Sequence, residues 1–107
     1  MATFTPANIV PVTAMSASGG TSLFTGTAAH TYICRTIHFS SSATKTVTLS
    51  FGADAAGKRL FDGTTVTAAV PAIYNGWWSF AGAGAHDIDG NVNSTTAQVL
   101  ISGYDYA

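Results

Sequence analysis

The residues best equipped for chemistry in this 107-residue chain lie in HDIDGN, from His86 to Asn91. Asp87 and Asp89, two apart, could offer oxygens to a Ca²⁺ ion. A calcium loop of the EF-hand kind needs acid or amide side chains at three alternate positions ahead of its glycine, and a distal Glu. Here Gly90 follows the second acid directly and the chain contains no Glu. A hairpin turn, whose Asp and Asn tolerate positive φ, accounts for the stretch more simply, with a weak cation site as the alternative. Zinc would need three or four Cys, His or carboxylate ligands. His30 and His38 stand eight apart on one expected strand, too far to chelate together, and His86 is elsewhere.

Nucleophilic catalysis has no better supply. The G-x-S-x-G elbow is missing, and the single cysteine, Cys34, has no neighbouring motif and reads as a small buried residue. Glycoside hydrolysis needs two carboxylates facing each other across a cleft. Most of the five aspartates adjoin Gly or fall in apparent turns or terminal segments. Neither an enzyme nor a cofactor is expected. The four cations, Arg35, Lys45, Lys58 and Arg59, form no stripe that could neutralise several phosphates, so nucleic-acid binding is not expected either.

The elements that would position any site are strands. Helix formers are scarce and period-two alternation recurs throughout. In TVTLSF, Val47, Leu49 and Phe51 share one face and Thr46, Thr48 and Ser50 the other. TYICRTIHF puts Ile33, Ile37 and Phe39 opposite Tyr32, Cys34, Thr36 and His38, with Arg35 interrupting the apolar side, and reads as a central strand. The connector SSSATK suggests a hairpin with the strand after it. NIVPV contains Pro11, which argues for an edge or a bulge. Asp62-Gly63, Asn75-Gly76 and Asp89-Gly90 are expected at turns. Eight or nine short strands result, an all-β pattern that suggests a sandwich or jelly roll. The expected division is an N-terminal arm and loop over residues 1–20, in which an edge strand is an open alternative, and a β-sandwich over 21–107.

Only 8% of the residues are charged against 47% hydrophobic, and the net charge is −1. About 25% charged is usual in soluble domains. The surface is therefore coated by Thr, Ser, Ala, Gly and Asn, and resists association poorly. Trp77 and Trp78, adjacent on a strand, must point opposite ways, one to the core and one outward. An exposed Trp can anchor a protein neighbour or stack on a sugar. Tyr104 and Tyr106 share a face. The arm residues Phe4, Ile9 and Val10 suit strand addition over a neighbouring subunit, or an ordinary first strand. MATFTPANIVPV shows neither a signal-peptide pattern nor a membrane anchor, so synthesis in a cytoplasm without secretion is expected.

In order, TSLFTG, ICRTIHFSSS, TVTLSFG, KRLFDG, NGWWSF and VLISGYDY resemble small virion proteins of tailed bacteriophages, over roughly Thr21 to Tyr104. The chain departs from that pattern at Gly26-Thr27-Ala28, where Pro-Ala-Gly is expected, and at AGAGAHDIDG. The resemblance implies a single antiparallel β-sandwich of jelly-roll type. It also implies a place in the virion, either as a capsid decoration protein cementing the major capsid protein or as a tail component, including a receptor- or carbohydrate-binding module. A homotrimer is the oligomer it favours. The partner-binding residues expected on these grounds are Phe4, Ile9, Val10, Trp77, Trp78 and Tyr104.

Overall fold

The structure, a computed structural model, describes residues 3–15, 21–52, 59–82, 87–93 and 97–107. Eight strands and no helix run through them: β1 (Phe4–Met15), β2 (Thr21–Phe24), β3 (Thr31–Ser40), β4 (Lys45–Phe51), β5 (Arg59–Val66), β6 (Ala72–Ala81), β7 (Ile88–Val92) and β8 (Ala97–Tyr106). They make two four-stranded antiparallel sheets, ordered β1-β8-β3-β6 and β2-β7-β4-β5. The sheets pack on one another through alternate side chains. Val10, Met15, Cys34, Ile37, Phe39, Val99 and Ile101 meet Val47, Leu49, Val66, Ile88 and Val92 in one core cluster. Each large side chain in it contributes roughly 1.5–3 kcal/mol through lost apolar exposure. Aromatic rings close the cluster at both ends, with Phe24, Tyr32, Phe51 and Phe80 at one and Phe39, Phe61 and Tyr74 at the other.

Among these strands only β4 and β5 are both consecutive and paired; every other connection crosses between the sheets. The hairpin expected at SSSATK is therefore an arch, carrying the chain from β3 in one sheet to β4 in the other. Both strands have an apolar face, and the arch sets those faces against each other across the core. Its backbone is tied to the β5–β6 turn, where Ala69 N donates to Ser41 O at 2.9 Å and Ala68 N to Thr44 Oγ1 at 3.1 Å.

The three Asp/Asn-Gly pairs are not turns either, because each lies inside a strand. In β5, Val47 pairs with Thr64 and Leu49 with Phe61, so Asp62 and Gly63 together oppose Thr48. Gly63 has φ 66° and donates its N–H to Thr48 Oγ1 at 3.2 Å. This is a β-bulge that uses the same left-handed glycine a hairpin turn would use. In β6, Asn75 pairs with Thr36, and Gly76 opens a second bulge, where Gly76 and Trp77 together oppose Arg35. Asp89-Gly90 sits in buried β7, where Gly90 packs against Leu23 and Met15.

β3 is central, between β8 and β6, but its alternation breaks. Cys34 pairs with Gly103 and Ile37 with Ile101, so β3 spends one residue more than β8 over that interval. The face reverses at the break. Tyr32, Cys34, Ile37 and Phe39 all point into the core, while Ile33, expected beside Ile37 and Phe39, lies outside the core cluster. β1 is an edge strand with register shifts on both sides of Val10, and Pro11 lies in the second of them. Residues 4–15 are thus the edge strand left open as the alternative to a separate arm.

Where β3 and β8 touch, Gly103 leaves no room for a side chain: a Cβ there would collide with the carbonyl oxygen of Ile33. Gly103→Ala must push two central strands apart and should cost roughly 2–4 kcal/mol in urea unfolding. Wild-type stability in this variant would show that the contact is looser than described.

Candidate functional site

Among the described residues, no group of three or more His, Cys, Asp or Glu is arranged to hold a metal ion. Asp87 and Asp89, the sequence's best cation candidates, are both buried. Asp87 braces the fold, since its Oδ2 accepts the Gly26 N–H at 2.6 Å and so fixes the loop after β2. His86 lies outside the described residues. His30 Nδ1 donates to Asp105 Oδ1 at 2.7 Å, joining the start of β3 to the end of β8. Cys34 faces the core, and burial pushes its thiol up to about 12, far from the thiolate that a nucleophile needs. A surface depression lined by Ala14, Ser40, Ser41, Ser42, Ala97 and Gln98 is open and carries no ionisable side chain.

What the fold does build is a face. The outer side of β1-β8-β3-β6 is organised by strand register into rows across the sheet. Phe4, Tyr106, Thr31 and Ala81 make the first, and Pro6, Tyr104, Ile33 and Ser79 the second. A polar row follows, Asn8, Ser102, Thr36 and Asn75, in which the Thr36 hydroxyl donates to Asn75 Oδ1 at 3.1 Å. Leu100, His38 and Ile73 form the next row, with Val12 on β1 toward the same end. Phe4, Val12, Ile73 and Trp77 are 55%, 64%, 57% and 58% exposed, high values for apolar side chains on a regular sheet. Ile33, by contrast, is 5% exposed although it points away from the core, so the face has a filled centre.

The bulges at Arg35 and Gly76-Trp77 arrange the middle of this face. Arg35 Nε donates to Gly76 O at 2.7 Å and its guanidinium lies 4.9 Å from the Trp77 ring centroid. Such a cation–π contact is worth about 0.5–1 kcal/mol at an exposed site, and it holds the indole in one orientation. At the end of the sheet, Phe4 contacts Tyr104 edge-on at 6.0 Å and Tyr106 at 4.6 Å. Nε2 of His38 is buried and has no hydrogen-bond partner among the described residues.

The residues expected to bind a partner therefore divide. Phe4, Trp77 and Tyr104 come together on the outer face. Ile9 and Val10 are core residues with nothing to offer a neighbour, because β1 pairs along β8 and turns them inward. Trp78 turns inward as well, its ring lying over Gly76 and against the core, as the opposed directions of adjacent strand residues require. Sequence reading misses Ile73, Val12 and Arg35 as parts of the face. Ile73 and Val12 look like ordinary strand residues, and Arg35 is displayed beside Trp77 only because two bulges coincide. Comparison with protein-family models, with curated proteins and with solved structures finds no match.

The buried thiol gives a direct check on this separation of core from face. In the native protein at pH 8, Cys34 should resist iodoacetamide under conditions that label it fully in denaturant. Labelling of the native state at the rate of a free thiol would place Cys34 at the surface.

Proposed function

We propose that this chain is a non-enzymatic structural protein of a tailed-phage virion, a decoration protein that binds the outer surface of an assembled head and cements it. Its body is read as a jelly roll. The order β1-β8-β3-β6 against β2-β7-β4-β5, with nearly every connection crossing between sheets, is the order that two nested Greek keys generate and supports that reading. The observation that carries the functional reading is the outer face itself. It is broad, apolar at its rim and almost free of charge, on a chain whose segments resemble in their order those of small virion proteins. A surface of this kind suits contacts that are individually weak and become strong when many copies sit on a lattice. The partner is then the major capsid protein, and the mechanism is bridging between neighbouring capsomers.

A receptor- or carbohydrate-binding module of the tail is the second reading. It is favoured by the exposed indole of Trp77 beside the amide of Asn75, a pairing that can stack on a sugar ring and hydrogen-bond its hydroxyls. One experiment separates the two. Heads assembled without the protein should form normally but rupture at lower temperature or on osmotic shock, and added protein should bind them saturably and restore their resistance. Equal robustness with and without the protein would end the cementing proposal, and retention on host envelopes alone would favour the tail module.

A further inference from the structure

We propose that the outer face of β1-β8-β3-β6 is a self-association surface, on which a second copy of this chain docks face to face about a two-fold axis. The inference concerns the free chain and does not depend on the virion reading, in which the same face would be given up by the second copy to the capsid surface.

Three observations select a copy as the occupant. The first is area. Four strands at about 4.8 Å spacing and roughly nine residues of length give a face of about 19 by 30 Å, near 600 Å² on each copy. Two such faces bury about 1,200 Å² together before any loop joins in, which reaches the range of stable specific interfaces.

The second is charge. Among the described residues of the face the bases are Arg35 and His38; Arg35 is already engaged by the Gly76 carbonyl and the Trp77 ring, and Nε2 of His38 is buried. Doubling the face therefore brings no bare like charges together. A partner that used electrostatic complementarity would find little here to read.

The third is the row pattern. The polar row Asn8, Ser102, Thr36 and Asn75 has a mainly apolar row on each side, Pro6, Tyr104, Ile33 and Ser79 on one and Leu100, His38 and Ile73 on the other. Rotation by 180° about an in-plane axis through the polar row lays that row on its own copy. The flanking apolar rows then meet one another, so amides and hydroxyls find partners and rings find aliphatic side chains. This is the self-complementarity that an isologous two-fold contact demands. Sheet-on-sheet packing at about 10 Å provides the geometry. Trp77, held by Arg35, and the Phe4–Tyr106 pair are the rigid anchors, a type that loses little entropy on docking. The result is a pair of sandwiches, in place of the threefold ring that the resemblance implies.

The test is the mass of the full chain in solution, by sedimentation velocity across the micromolar range. Wild type should sediment at about twice the 10.9 kDa chain mass. Trp77→Lys and Ile73→Lys each place an unpaired charge inside the buried contact, and each should sediment as a folded monomer with an unchanged circular dichroism spectrum. Leu60→Lys and Val70→Lys also replace exposed apolar residues, but off this face, and should leave the pair intact. A monomeric wild type, a trimer, or a pair that survives both face substitutions overturns the proposal. Head binding by the folded monomeric variants is measured separately, so loss of pairing and loss of decoration are distinguishable outcomes.

Discussion

The structure depends on a single extra residue in its central strand. A β-strand presents side chains with a period of two, and any break reverses every position beyond it. β3 needs such a reversal. Tyr32 and Cys34 reach the core on one parity, Ile37 and Phe39 on the other, and Arg35 is spent where the parity changes. Without it, either the aromatic cluster around Tyr32 or the pair Ile37 and Phe39 would face solvent. The same break aims Arg35 outward, over the indole of Trp77, which lies in the bulge of β6 that opposes it. Core and outer face thus both depend on the break at Arg35, the face with the help of the facing bulge in β6.

Much of the architecture is legible from composition and alternation. The absence of Glu and the recurrence of Val/Thr alternation point to an all-β chain, Pro11 to an edge or bulged strand, and the length and apolarity of the TYICRTIHF segment to a central one. β4 follows its pattern closely, burying Val47 and Leu49. The X-Gly pairs are where sequence misleads. Asp-Gly and Asn-Gly advertise a backbone that can adopt positive φ or do without a side chain, and hairpins, bulges and tight packing all use that property. Gly63 uses the first part of it and Gly90 the second. A short polar connector such as SSSATK is equally ambiguous, because an arch between sheets and a hairpin within one need similar lengths. Which of them forms is decided by long-range burial that no local window contains.

The outer face is half visible in the sequence. Adjacent tryptophans on a strand must diverge, and the shared parity of Tyr104 and Tyr106 holds in the structure, so aromatic side chains on an exposed sheet can be anticipated. Their assembly with Phe4 cannot, since that depends on β1 pairing with β8 over the whole chain length. The inward turn of Ile9 and Val10 follows from the same pairing. Chemistry is scarce everywhere else among the described residues: Asp89 of β7 is buried, Asp87 holds a loop, and the cysteine is locked in the core. A neutral apolar face on a rigid sandwich gives this chain the means to dock.

The claim that the break at Arg35 organises both surfaces is most directly tested by comparing urea unfolding of Arg35→Ala with that of a variant lacking residue 35. The substitution keeps the backbone count and loses only the contacts to Trp77 and Gly76, so it should unfold cooperatively with a loss of about 1 kcal/mol. The deletion restores strict alternation and turns one half of β3 away from the core, and it should abolish cooperative unfolding. A deletion variant as stable as the alanine variant would contradict that dependence.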